Sequence, residues 1–529
     1  VRRAGRRPLR APQRGVVAAG HPRTAAAAVE VLEAGGNAFD ACLAAFLAAC
    51  VAEPVLASLG GGGFLMARPQ GKTPLLYDFF TQTPAHRRQP RELDFHPIVA
   101  DFGTAQQEFH IGMGSMAVPG AVKGLFRVHR ELGRLPMTDL VAPAVALARE
   151  GLRLNAFQSY IFDIVGIIFR STPGALAVYG SRRDPARLVG HRELLRQPEL
   201  ADALEALARE GERLFYRGEM GRRLIRDSTE GGGHLVDADL RDYRVIKRRA
   251  LRVDYRGSRL YTNPPPSSGG LLVAFALKLL EALPRGTLDF GTDAHLEGLV
   301  RVMALTNEAR VRHHADRPTA HLDAASLLDP GCLRHYRERV LGHPAARRGT
   351  THISVIDAGD NMAAMTVSNG EGCGYVLPGT GIMLNNMLGE EDLNPHGFHC
   401  WQPGTRMSSM MAPSLLLLPD GRHVALGSGG SNRIRSALLQ VVMNLADSGM
   451  DLRGAVHAPR LHLEGERLSV EGGFAPDQVE LLRGLAGQCE VWQGRNLFFG
   501  GAHSVLRDTG SGRLSGAGDP RRGGVARVA

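Results

Sequence analysis

The chain reads as an α+β protein in which helices cover stacked sheets. Three observations lead there. Helical periodicity dominates up to about residue 315, short paired strands take over after Thr350, and neither part carries the apolar pattern of a self-sufficient core. One composite domain follows, each half completing the other.

Val17-Ala-Ala-Gly-His21 is a short apolar strand that stops at glycine and histidine. Pro22 and Thr24 open a helix that runs through Ala34 and closes at Gly35-Gly36. Asn37 starts a second helix over 38–52, apolar nearly all round and rich in alanine, so it packs inside. The run Gly60–Gly63 enters a strand. It lacks the lysine and hydroxyl of a phosphate-binding loop, so close backbone packing is its expected use. Tyr77–Pro84 is a strand end running into a turn, and Gly112–Gly120 is a turn before a helix over 121–132. Residues 137–247 are mostly helical, 255–261 form a strand, and Pro264–Gly270 is a rigid turn before a helix to about Leu283. A helix over 295–315 closes this part. Strands over 352–357, 362–368, 381–385, 414–418 and 424–426, with a helix over 432–448, make up most of the rest.

Composition narrows the function classes. Hydrophobic residues make up 44% and charged residues 22%, the balance of a globular protein able to bury a full core. The net charge is +10, but arginine is spread along the whole length, which describes a solvated surface better than a nucleic-acid groove. Residues 1–16 read as a disordered basic arm without the apolar segment of a secretory signal. No stretch reaches the roughly 18 apolar residues of a membrane span, and the expected location is cytoplasmic. The six cysteines show no CxxC pairing, so neither zinc nor a disulfide framework is implied, and no cofactor or metal is expected.

The chemistry centres on Gly349-Thr350-Thr351-His352-Ile353-Ser354-Val355-Ile356-Asp357, which follows a basic, breaker-rich segment. A threonine hydroxyl is a poor nucleophile until an adjacent amine takes its proton, and a newly exposed α-amine titrates near neutrality. Taken alone, these residues fit a plain hairpin better. Further stretches add weight: Ser368 follows Thr366 on the return strand, Ser408-Ser409 offers paired hydroxyls, and Gly427–Arg433 reads as strand, glycine turn and helix start, a geometry suited to an oxyanion.

In this order the stretches resemble the γ-glutamyltranspeptidase family of N-terminal-nucleophile hydrolases, from about Val17 to Pro520. Thr350-Thr351-His352, Thr380–Asn386, Ser408-Ser409-Met410 and Gly427–Ile434 carry the resemblance. Gly35–Ala38, Gly60–Gly63, Pro119-Gly120, Pro264–Gly270 and Gly516–Arg521 add to it. The resemblance implies a four-layer αββα sandwich made as a precursor that cleaves itself between Gly349 and Thr350. Segments 17–349 and 350–529 would then stay together as a heterodimer. It further implies Thr350 as nucleophile, Ser368 as the assisting hydroxyl (where the family has threonine), and the N–H groups of Gly430 and Ser431 as the oxyanion hole. A small-molecule amide or γ-glutamyl compound would be the substrate.

The substrate pocket departs from the family pattern. An arginine after Asp-Phe normally grips the substrate α-carboxylate, and here that position is Phe80, whose ring cannot clamp a carboxylate. The asparagine, glutamine and aspartate that hold the α-amine are replaced by Gly370, Met387 and Glu390, while Ser408 and Ser409 remain as carboxylate donors. The expectation is retained nucleophile chemistry with altered acyl specificity, unless Arg406 or Arg433 supplies the missing charge. The competing class is an inactive relative serving as a scaffold or binding protein. A nucleic-acid binder using the arginine arm ranks third.

Overall fold

The computed structural model describes residues 13–101, 106–284, 288–315, 327–337, 350–394 and 397–529. Gly349 and residues 1–12 of the expected arm lie outside the described residues. The first strand, β1 (Gly15–Ala19), takes in the last two residues of that arm. Val16 pairs with Ile356 on one side and Val528 on the other, so it is a core residue rather than part of a tail.

Two helices follow with their start signals in use. In α1 (Pro22–Glu33), proline fills the first turn and the His21 ring accepts the Arg23 N–H at 3.1 Å. In α2 (Ala38–Ala52), Asn37 Oδ1 accepts the Phe39 and Asp40 N–H groups, and Asp40 returns the bond to Asn37 N–H at 3.0 Å. Such a capping box contributes on the order of 1 kcal/mol. Every residue of α2 is buried, as its unbroken apolar surface requires.

The remaining elements that frame the site are β2 (Gly62–Arg68), β3 (Leu75–Phe79), α3 (Ala121–Leu132) and α4 (Met137–Glu150). Next come β4 (Ile246–Arg249), β5 (Leu251–Tyr255), β6 (Ser258–Thr262), α5 (Ser268–Leu280) and α6 (Asp293–Ala315). Then follow β7 (Thr351–Asp357), β8 (Met362–Ser368), β9 (Ser414–Leu417), β10 (Arg422–Leu426) and α7 (Arg433–Ala446). Last are β11 (Ser504–Asp508), β12 (Leu514–Ala517) and β13 (Val525–Val528). They build a seven-stranded sheet in the order β13-β1-β7-β8-β2-β3-β4 and a six-stranded sheet in the order β12-β11-β10-β9-β6-β5.

Alternation along the strands stacks these layers. On β7, Ile353 and Val355 join the core under α1–α4, while Ile356 faces the second sheet. The second sheet packs its other face on α5, α6 and α7. Helices, sheet, sheet, helices is the αββα sandwich.

Two expectations change. Residues 255–261 are not one strand: Arg256 and Gly257 both take positive φ (47° and 87°) and turn β5 back into β6. The strand expected over 381–385 shrinks to Ile382–Met383, paired only with Val376–Leu377. The glycine run does pack closely, since a Cβ on Gly61 would come to 2.3 Å from the Ser368 carbonyl oxygen.

Candidate active site

Strand register brings the two hydroxyls together. Thr351 pairs with Val367 in the antiparallel β7–β8 ladder, so one step outward sets Thr350 opposite Ser368. Both are nearly covered, Thr350 at 5% and Ser368 at 7% exposure. The Ser368 hydroxyl oxygen accepts the Gly370 N–H at 3.1 Å, which fixes its place at the end of the strand.

The turn after β10 closes over this end. The Gly429 Cα lies against Thr350, and a Cβ there would sit 1.5 Å from the Thr350 carbonyl oxygen. A Cβ on Gly427 would sit 2.2 Å from His352 Cε1. Only glycine fits at either point. Gly430 and Ser431 follow with φ of 125° and 45°, turning the backbone from strand into α7. The Gly430 and Ser431 carbonyls accept the first N–H bonds of that helix, from Arg433 and Ile434. The turn is pinned from behind as well: the Ser428 hydroxyl donates to the Gly429 carbonyl at 2.8 Å and accepts the Gly501 N–H at 3.0 Å.

Beneath the turn lies a buried polar chain. The Ser354 hydroxyl hydrogen goes to the His503 carbonyl at 3.0 Å, so Ser354 can only accept from His352 Nε2, 2.8 Å away. That assigns the proton to Nε2 and leaves Nδ1 to accept from Thr366 Oγ1 at 2.8 Å. Burial holds His352 neutral, its pKa well below the usual value. On the other face of β7 the Thr351 hydroxyl donates to Glu53 Oε2 at 3.1 Å, and Thr24 donates to Oε1 at 2.8 Å. Burial raises the Glu53 carboxyl, and the two hydroxyls and the Arg522 charge pull against it. Arg522 Nη1 donates to the Thr350 carbonyl at 2.8 Å, and burial lowers its guanidinium to about 10.

The specificity candidates fall into three places. Phe80 stacks on Phe64 at 5.3 Å between the sheets, and Met387 is buried in the same core, each 1% exposed. Neither offers an open apolar wall to a substrate. Gly370 (φ 63°) lies beside Asn386 and partly exposed Glu390, close enough that a Cβ would come 2.3 Å from Glu390 Oε1. The Ser408 hydroxyl donates to the Pro266 carbonyl at 2.8 Å, so its hydrogen is in use. Ser409 Oγ accepts the Met411 N–H at 3.1 Å, and its carbonyl accepts the Ser268 N–H at the head of α5.

Arg406 does not replace a clamp. Its guanidinium is spent on the Phe80 carbonyl, the Tyr243 hydroxyl and the Arg244 carbonyl, with Asp78 3.5 Å from Nε. The Arg433 Nε donates to the Phe498 carbonyl at 2.9 Å, and its guanidinium lies over the Phe498 ring. Among the described residues no group of three or more His, Cys, Asp or Glu is placed to hold a metal.

The family model for gamma-glutamyltranspeptidase matches residues 24–529. The chain belongs to the γ-glutamyltranspeptidase family. It is similar to the Acylase ACY 1 proenzyme of Pseudomonas sp. (strain SE83), with 32% identity covering 97% of this chain and 95% of that one. It is also similar to the Glutathione hydrolase proenzyme of Escherichia coli (strain K12), with 29% identity covering 97% and 91%. Among solved structures, a cephalosporin acylase from Bacillus halodurans superposes with a TM-score of 0.83 at 25% identity, over 100% of this chain and 98% of that one. These relatives are enzymes, and this γ-glutamyltranspeptidase-family chain is one.

Glu53, Arg522 and the His352–His503 link lie outside the sequence motifs. Glu53 sits at the end of an alanine-rich buried helix just before Pro54, a carboxyl out of keeping with its neighbours. That was a readable signal. Arg522 was hidden among the many arginines, and His503 stands alone in its stretch.

Proposed function

We propose that the chain is a self-cleaving N-terminal threonine amidohydrolase or acyltransferase whose acyl specificity has moved away from the γ-glutamyl group. The observation that carries the reading is Thr350 set opposite Ser368 with the Gly427–Ser431 turn packed on its carbonyl. In the precursor the Thr350 hydroxyl attacks the Gly349 carbonyl carbon, the amide becomes an ester as the Thr350 nitrogen leaves as a free α-amine, and water then hydrolyses the ester to free the hydroxyl and the Gly349 carboxylate. The relatives' description as proenzymes supports this step.

In the mature enzyme that amine takes the hydroxyl proton and the oxygen attacks the substrate amide. Ser368 steadies the hydroxyl, and the N–H groups of Gly430 and Ser431 stabilise the oxyanion; losing one such donor typically raises the barrier by about 3 kcal/mol. The acyl-enzyme then passes to water or to an amine. An uncharged acyl group is favoured because Phe80 supplies no cation and Arg406 is committed elsewhere. A zwitterion whose carboxylate meets no cation pays its desolvation in full. Kinship to an acylase at 32% identity supports an acyl group other than γ-glutamyl.

Two bands on a denaturing gel, with Thr350 as the first residue of the smaller, are expected, and Thr350→Ala should remain one band. Turnover of γ-glutamyl-p-nitroanilide should fall far below that of p-nitroanilides carrying uncharged acyl groups. Efficient γ-glutamyl turnover would refute the altered specificity, and an intact 349–350 bond in active protein would refute the mechanism.

A further inference from the structure

The proposed amide chemistry makes no use of a strongly cationic concavity on the surface. A cavity of about 280 Å³ opens between α3 and the segment around residues 212–217, and six cations line it: Lys123, Arg127, Arg130, Arg213, Arg217 and Arg244. The spacing is not accidental to the helix. Positions 123, 127 and 130 share one face of α3, while Val122, Leu125 and Phe126 on the other side are buried.

Glu212 is the single acid in the wall, and it lies 3.7 Å from Arg130. Arg127 is held by Glu131, which also serves Lys247 and Tyr77 from behind the cavity. Arg244 Nη1 donates to the Arg241 and Tyr243 backbone carbonyls, neutral partners that cancel no charge. Among the described residues no carboxylate lies within ion-pair distance of Arg213 or Arg217. Lys123 Nζ donates to the Tyr243 carbonyl at 2.9 Å and rests 4.3 Å over the Tyr216 ring. Burial lowers its ammonium to about 8, Glu212 and Asp242 oppose the shift, and the Arg244 and Arg217 charges add to it. Like charges crowded into one concave wall repel, and an anion seated among them relieves the repulsion.

We propose that this cavity binds a small ligand through a diphosphate or triphosphate group. One guanidinium fork satisfies a carboxylate, whereas cations spread round a bounded cavity match the several oxygens of linked phosphates. The two sources of that chemistry are inorganic polyphosphate and a nucleotide. A volume of about 280 Å³ suits a few linked phosphates better than a nucleic-acid backbone, which runs along extended grooves.

The test is calorimetric titration of the full mature protein with sodium pyrophosphate in physiological salt, with orthophosphate and ADP as further arms. One-site binding at least tenfold tighter for pyrophosphate than for orthophosphate is expected. ADP binding more tightly than pyrophosphate would assign a nucleotide, and equal affinity would assign the phosphates alone. Arg213→Glu with Arg217→Glu, or the milder pair of glutamines, should abolish the heat while leaving amide turnover and the ligand-free melting temperature unchanged. Affinity should also weaken as pH rises through about 8, and Lys123→Met should flatten that dependence. The absence of heat at millimolar pyrophosphate, unchanged binding in both charge variants, or binding of duplex DNA that pyrophosphate cannot displace would overturn the proposal.

Discussion

The Thr350 carbonyl oxygen and the Gly429 Cα are in contact, with no room for a single added carbon between them. That contact sets the distance between the proposed nucleophile and the turn proposed to hold its oxyanion. Gly429→Ala should therefore block self-cleavage, seen as one band on a gel. It should also cost more than the 1–3 kcal/mol usual for an overpacked site, because backbone rather than side chain must give way. Gly484→Ala is the control: nothing lies within 4 Å of the added carbon and its φ is not positive, so cleavage should be complete.

Ser431 holds a left-handed φ of 45° that a serine tolerates and a β-branched residue resists. If only its N–H serves the reaction, Ser431→Gly should keep kcat within about twofold. Ser431→Val should lower stability by about 1–3 kcal/mol and slow turnover. A large loss of kcat in the glycine variant would show that the side chain is used.

Removing the Arg406 guanidinium takes a donor from the Arg244 and Phe80 carbonyls and a cation from fully buried Asp78, although Tyr243 still donates to the Phe80 carbonyl at 2.7 Å, and the Phe80 N–H and Arg248 still reach Asp78 at 3.1 and 2.8 Å. Arg406→Met should cost about 1–3 kcal/mol in urea unfolding. The ratio of γ-glutamyl to other acyl turnover should not change. A changed ratio with unchanged stability would make Arg406 a substrate ligand.

Two buried groups set opposite pH trends. Burial lowers His503 to about 4, with Asp519 opposing and Arg522 adding, and its Nδ1 is already the acceptor for the Asp519 N–H. A folded pKa below the unfolded 6.5 gives stability that is present above pH 6.5 and lost as pH falls toward 4. Between pH 7.5 and 4.5 the parent should lose about 2–3 kcal/mol more than His503→Gln. Glu53 runs the other way. Its folded pKa lies above the ordinary 4.5, so its unfavourable contribution is absent below that pH and grows as pH rises. The stability of Glu53→Gln relative to the parent should therefore improve from pH 4.5 to 8, followed by melting temperature.

Much of the frame was legible because it follows local rules. Asn37 and Asp40 announce the start of α2, and the apolar run to Ala52 announces its burial. The alternation after Thr350 gives the register that sets Ser368 across from it. What could not be read depends on contacts far apart in the chain. Phe80 marked a missing cation, but its burial against Phe64 is settled by β2 and β3 lying side by side. Arg256-Gly257 hid a hairpin because arginine is an uncommon choice at a positive φ. Glu53 meets Thr351 across 298 positions, beyond any periodicity.

The placing of β1 has a final consequence. It is wedged between β7, which begins beside the proposed cleavage point, and β13, the last strand described. A cut between 349 and 350 therefore severs one covalent thread inside cloth already woven. To part the pieces, both flanks of β1 would have to unzip together. The cleaved molecule should melt in a single cooperative transition, and either piece made alone would expose raw sheet edges and clump.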